Sequence, residues 1–283
     1  MKQPPKYLFY ATLLDAYQGY IGSDAIFNEY WGYSENPPFS EDEFHEKQRL
    51  SLIDKINRVP MRWEDSEKAD RGTAFNEIVD CMILGRNSKK MKIEKVYETR
   101  VYGQVDNCDA GERWSEVKQT NKVIALRAEY NKRTFEFPID ICREFADYYK
   151  CAIPQVRAEG ILPTKYGDVM VYGDIDELMP TSVHDIKTTG KYSPGKFKSH
   201  WQHIVYPYCL CQSGNKVYDF EYNILTIHET KYSKSYETFT EYYNYVPEVD
   251  IPRLTAHAEG LIEFIESHRD LITDLKIFNK HEK

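Results

Sequence analysis

The chain has 283 residues, 41% of them apolar, enough to bury one large core or two modest ones and too many for a disordered polymer. A formal net charge of −8 argues against a surface that coats nucleic acid throughout, but not against a local basic strip beside an acidic site. Six cysteines without a C-x-x-C pair argue against a zinc ribbon or a secreted disulfide framework, and no apolar run is long enough to span a membrane.

Residues 1–6 show no charged start followed by an apolar run, so no signal peptide is expected and the chain reads as reduced and cytoplasmic. Residues 7–30 carry Leu8, Leu13, Leu14, Tyr17 and Tyr20 at helical spacing, broken at Gly22. A polar loop with Pro37 and Pro38 precedes a charged helix over 41–58. Residues 73–84 predict an amphipathic helix on Phe75, Ile78, Val79, Met82 and Ile83, stopped by Gly85. The stretch 86–138 alternates in places and reads as hairpins, followed by a short helix over 139–151.

From residue 155 onward the pattern sharpens. Strands are expected over 156–162, 169–178 and 183–187, then a helix opened by Ser193-Pro194-Gly195 and running to about Cys211. A strand follows over 216–227, strand or loop over 236–245, and a long closing helix over 251–278. The fold class expected is α/β in a single domain over 1–283: a central mixed sheet flanked by helices, with helical N- and C-terminal additions.

The chemistry concentrates in 173–206. On a strand, Asp185 and Lys187 project to one face while His184 and Ile186 take the other, so His184 reads as structural. Asp174 and Asp176 share a face of the preceding strand, and a hairpin through 179–182 sets Asp176 beside Asp185. Two carboxylates that close repel unless a cation lies between them, and oxygen ligands suit magnesium or manganese. Phe197, Trp201, Ile204, Val205 and Tyr208 form an apolar helical stripe, with Gln202 and Tyr206 one turn apart and away from the stripe centre, aimed along a substrate groove. Between Ile186 and His203 there is no acid, whereas Lys187, Lys191, Lys196 and Lys198 make a basic window suited to a phosphate backbone.

Gly173 and Asp176, then Asp185 and Lys187, then Gln202 and Tyr206 follow the order G-x-x-D, D-x-K, Q-x-x-x-Y. That order resembles the PD-(D/E)XK nuclease superfamily, in particular its RecB-like exonuclease branch of phage-type and CRISPR-associated exonucleases. The resemblance covers about residues 72–225 and implies a restriction-endonuclease-like core. It also implies a metal-dependent DNA exonuclease using Mg²⁺ or Mn²⁺, with Asp176, Asp185 and the Ile186 carbonyl as metal ligands. Lys187 then serves at the reacting water or phosphate, and Gln202 and Tyr206, with Lys191, Lys196 and Lys198, hold DNA. The family's earlier metal-binding His falls on Asn76, a poorer ligand, with Glu77 or Asp80 as substitutes, and this departure leaves open a catalytically silent DNA-binding subunit. No cysteine precedes Cys81 or follows Cys211, so the iron–sulphur cluster of some members is not expected. DNA is the expected partner; a recombination partner protein and an oligomer stay open.

Overall fold

The computed structural model describes residues 4–102, 116–230 and 233–279. Backbone packing divides the chain into two compact units, Met1–Arg62 with Ile153–Lys283, and Trp63–Ala152. This differs from the single domain read from the sequence. The reason is topological: the strands between residues 92 and 138 form a sheet of their own rather than joining the larger one.

The first unit holds a mixed sheet in the order β1-β6-β7-β8-β9, with β5 also paired to β6. Its strands are β1 (Tyr7–Tyr10), β5 (Ile153–Leu162), β6 (Val169–Leu178), β7 (Ser182–Thr189), β8 (Asp219–Glu229) and β9 (Lys234–Asn244). Pairs β1/β6 and β7/β8 are parallel and the others antiparallel. Helices α1 (Ala11–Ile21), α2 (Ser23–Trp31), α3 (Glu41–Ile56), α6 (Gln202–Gln212) and α7 (Pro247–Ser267) belong to this unit, so the expected sheet flanked by helices is present.

Local chemistry explains most boundaries. Tyr7–Tyr10 is a strand rather than the start of a helix: Tyr7 and Phe9 alternate into the core fully buried, and aromatic residues suit a pleated surface. Gly22 separates α1 from α2 as the sequence suggests. Ser40 and Glu43 form a reciprocal capping box that starts α3. The helix expected from Ser193 begins only at Gln202, because Pro194 and Gly195 (φ 81°) hold the preceding residues in successive turns. Pro207 lies inside α6 without ending it, at the cost of the hydrogen bond that would reach the His203 carbonyl. The closing helix α7 stops at Ser267, and a later 3-10 turn over Leu275–Phe278 sets Phe278 against Tyr7 at 6.0 Å. Each fully buried apolar side chain of this core contributes about 1.5–3 kcal/mol.

The second unit pairs β2 (Lys92–Tyr102), β3 (Glu116–Tyr130) and β4 (Arg133–Pro138) in that order, with α4 (Glu67–Leu84) and α5 (Ile139–Tyr148). Asn131 and Lys132 both take positive φ (48° and 62°), as a two-residue hairpin turn demands. Gly85 (φ 59°) closes α4 in the left-handed region. The Phe75 ring packs 5.0 Å from both Phe137 and Phe145. Among the described residues no helix is long and apolar enough to cross a membrane.

Candidate functional site

Strand β6 creates the site by what it leaves unpaired. One of its edges is taken by β5 from Val169 to Leu178. On the other edge β1 pairs with Val169 to Tyr172, and β7 reaches only Glu177 and Leu178. Among the described residues 173–176 therefore have no strand beside them on that edge. Continuing the register from Leu178↔Val183 and Glu177↔His184, Asp176 stands level with Asp185. There the ladder stops, and the Asp176 carboxylate takes its place: the Ile186 N–H donates to Asp176 Oδ2 at 2.9 Å. A cleft of about 530 Å³ opens at this point, with Asp176, Asp185, Gln202 and Tyr206 in its wall together with Arg58 and Arg157.

One hydrogen-bonded chain joins strand to helix. Lys187 Nζ lies 2.7 Å from Asp185 Oδ2, an ion pair without the geometry of a directed hydrogen bond. The same ammonium donates to Gln202 Oε1 at 2.7 Å. Gln202 Nε2 donates to Asp185 Oδ1 and to the Tyr206 hydroxyl, the latter at 3.2 Å. The amide's orientation is fixed by its neighbours, since an ammonium offers only donors and a carboxylate only acceptors. Gln202 and Tyr206 are 4% and 3% exposed and both line the cleft, so the pair contributes to its wall from a largely buried position. Gly173 has a reason of its own: a Cβ there would lie 2.9 Å from the Tyr206 hydroxyl and closer still to its ring.

The electrostatics follow from this burial. Burial alone would lower the Lys187 pKa, but the close charge of Asp185, then the charges of Asp176 and Asp15, outweigh it and raise it. Burial, then Asp185, lifts the Tyr206 hydroxyl well above the usual tyrosine value, with Asp176 and Asp15 adding to the effect and Gln202 opposing it. Lys187 thus stays an ammonium and Tyr206 a neutral hydroxyl. Asp15, on α1, was not legible as a member; it accepts from the Trp201 N–H at 2.6 Å and lies 3.4 Å from His200 Nδ1. Arg58, Arg157, Tyr10 and Tyr172 also line the cleft without a motif to announce them.

The remaining expected residues have the following partners. Lys191, Lys196 and Lys198 are exposed, and Lys196 Nζ donates to Thr189 Oγ1 at 2.7 Å and to the Lys191 carbonyl at 2.5 Å. Asn76 and Glu77 lie on α4, in the second unit. The Glu77 carboxylate is held there by Arg86 Nη1 at 2.9 Å and Lys90 Nζ at 3.1 Å. His184 is tied into the sheet, 2.7 Å from Ser182 Oγ and 3.0 Å from Asn223 Oδ1, as its structural reading requires. Glu159, on the strand before β6 and a further candidate ligand from the sequence, pairs with Arg157 at 3.0 Å. Among the described residues no three His, Cys, Asp or Glu side chains are grouped to hold a metal by themselves. A cation at Asp176 and Asp185 would therefore draw the rest of its shell from backbone, water or substrate.

Comparison with known proteins adds no family. No family model matches the chain, and no curated protein matches it. Among solved structures, one described as the crystal structure of SSO0001 aligns at 12% identity and a TM-score of 0.30. The alignment covers 44% of this chain and 55% of that one, and a likeness so slight carries no argument about function.

Proposed function

We propose that the chain is a magnesium-dependent deoxyribonuclease, an exonuclease acting in DNA processing or recombination, and that it works at the open edge of β6. The observation that carries this reading is the convergence of Asp176, Asp185, Lys187, Gln202 and Tyr206, drawn from two strands and a helix, at one cleft. The donor set fits the ion. Asp185 Oδ2 is buried and accepts no directed hydrogen bond, with only the Lys187 charge set against it. Asp176, Asp185 and the Ile186 carbonyl form an all-oxygen set that leaves several positions to water and phosphate, which is how magnesium is commonly bound.

Such an ion, when bound, supplies the charge that makes water acidic enough to attack phosphorus and that offsets the leaving oxygen. The chain's own residues do the rest. Lys187 offers a fixed positive charge beside the carboxylates, suited to orienting the attacking water and to stabilising charge on the phosphate oxygens. Gln202 locks Lys187 and Asp185 in register from beneath, and Tyr206 holds Gln202 in turn.

Asp185→Ala and Lys187→Ala are each expected to cut Mg²⁺-dependent degradation of linear DNA by roughly 10²–10³-fold or more. A double variant that digests end-labelled duplex as fast as the unaltered protein overturns the reading. A silent DNA-binding subunit is the second reading, favoured by the bridge that Lys187 and Gln202 already make to Asp185. Calorimetric titration with Mg²⁺ separates the two: saturable heat that Asp185→Ala removes supports the enzyme, and no heat supports the silent subunit.

A further inference from the structure

Three carboxylates, Asp174, Asp176 and Asp185, line the cleft, and a nucleic acid strand entering it carries a negative charge on every phosphate. A cation at Asp176 and Asp185 serves the phosphate being cut but leaves its neighbour facing an acidic wall. Two guanidinium groups line the same cleft, and both are docked on one side chain, Tyr172. Arg58 Nη2 donates to the Tyr172 hydroxyl at 3.0 Å, and Arg157 stacks on the Tyr172 ring with its guanidinium carbon 4.1 Å from the centroid. We propose that Arg58 and Arg157, spaced by Tyr172, form a clamp for the substrate backbone phosphate next to the scissile one. The inference rests on the nuclease reading.

Three features support a binding role over an ordinary surface ion pair. Each guanidinium keeps donors in hand: Arg58 uses Nε toward Asp274 at 3.2 Å and Nη2 toward Tyr172, while Arg157 uses Nε toward Glu159 and Nη1 toward Asp174 at 3.5 Å. Nη1 of Arg58 and Nη2 of Arg157 are left unengaged among the described residues, and a guanidinium fork matches phosphate oxygens in pairs. Arg58 also sits at φ 52°, a backbone conformation that non-glycine residues seldom adopt and that the surrounding structure must hold. Finally, both groups are fixed before a ligand arrives, Arg58 by Asp274 and Tyr172 and Arg157 by its stacking, so little side-chain freedom remains to be lost.

The test is equilibrium binding without metal, in chelator, so that no strand is cut. A fluorescein-labelled single strand of about a dozen nucleotides is titrated at several salt concentrations between roughly 50 and 200 mM, and Kd is plotted against salt on logarithmic axes. Arg58→Gln and Arg157→Gln are each expected to weaken binding several-fold and to lower the slope by about 0.7, the double variant by about twice that. Tyr172→Phe keeps both charges and is expected to weaken binding with the slope unchanged. Arg157 is 45% exposed, so Arg157→Gln reports even if Arg58→Gln fails to fold. Slopes equal to that of the unaltered protein in both arginine variants overturn the clamp. If Asp185→Ala still abolishes degradation in that case, the nuclease reading survives. Altered slopes in a protein that degrades nothing would uphold the clamp as a nucleic-acid site and remove the nuclease reading. A protein that neither binds the strand nor degrades DNA loses both.

Discussion

Asp185 in the first unit and Glu77 in the second are both 2% exposed, and each has a lysine against it, yet they are built for different ends. Glu77 meets two cations, Arg86 and Lys90, both supplied by the segment that follows its own helix. Both lie within 3.1 Å of its oxygens. Asp185 meets one cation, Lys187, shares the site with a second carboxylate, Asp176, and faces an open cleft. Burial beside a lysine therefore does not by itself set the carboxylate of the proposed site apart from the other. Unbalanced charge and access for a ligand do.

The contrast breaks if the two carboxylates fail in the same way. Glu77→Gln leaves Arg86 and Lys90 beside a neutral amide in a buried place, and removing one partner of such a set typically costs about 3–5 kcal/mol. Urea denaturation should show that loss, while nuclease activity per folded molecule stays at the level of the unaltered protein. Asp185→Asn should do the reverse, abolishing activity at a much smaller cost in stability, because relief of the repulsion with Asp176 offsets the lost pairing with Lys187. Loss of activity per folded molecule in Glu77→Gln, or a large loss of stability in Asp185→Asn, removes the distinction.

Acid sharpens the comparison, because the two units titrate in different windows. In the first unit, burial pushes the His257 pKa from 6.5 down to about 4 against the opposing pull of the Leu14 carbonyl. The ring stacks on Trp201 at 4.0 Å, and Nε2 lies 2.9 Å from that carbonyl. His203 is pushed down to about 4 by the same cause. Between 6.5 and 4 the unfolded chain binds the proton and the folded chain does not, so stability rises with pH across this interval. It is complete above 6.5 and falls as pH drops toward 4, by at most about 3 kcal/mol per histidine. In the second unit burial acts to raise the Glu77 pKa, but hydrogen bonds from Arg86, Ser88 and Lys90 overcome it and bring it to about 2. Its contribution is present above 4.5 and lost as pH falls from there toward 2. His257→Gln should roughly halve the slope of unfolding free energy against pH above 4.5, His203 keeping the rest, and leave the lower limb intact, whereas Glu77→Gln should flatten the lower limb alone. An unchanged upper limb in His257→Gln rules out the buried neutral histidine as its source.

Legibility followed sequence distance. The β6–β7 hairpin and the level placement of Asp176 and Asp185 could be read because alternation and a short turn are local properties, and the Met179 N–H bond to the Ser182 carbonyl closes that turn at 2.9 Å. The stop of α4 at Gly85 was equally local. β1 was hidden because Leu8, Leu13 and Leu14 mimic a helical period, while its partner lies on β6, some 160 residues away in the chain. The open edge that makes the cleft depends on β1 and β7 covering different parts of β6, which no window of sequence contains. Gln202 and Tyr206 could be paired from their spacing of four alone, although the helix that carries them begins nine residues later than the sequence suggested. Arg58 and Arg157 carried no periodic or motif signal and became visible only through Tyr172.

The smallest expected effect concerns the glycine that the open edge requires. At Gly173 a methyl group would press on Tyr206, within 2.9 Å of its hydroxyl, and overpacking of this kind costs about 1–3 kcal/mol. Nothing in the backbone demands glycine there; the demand comes from the ring across the interface. The destabilisation in Gly173→Ala should therefore belong to the pair, not to residue 173. The displaced ring should also weaken the Gln202–Tyr206 hydrogen bond and lower kcat more than it raises KM. A double-mutant cycle with Tyr206→Leu isolates the coupling: on the leucine background the alanine should cost much less than on the tyrosine background. Additive losses would mean that the close approach of ring and strand is not what fixes glycine at this position.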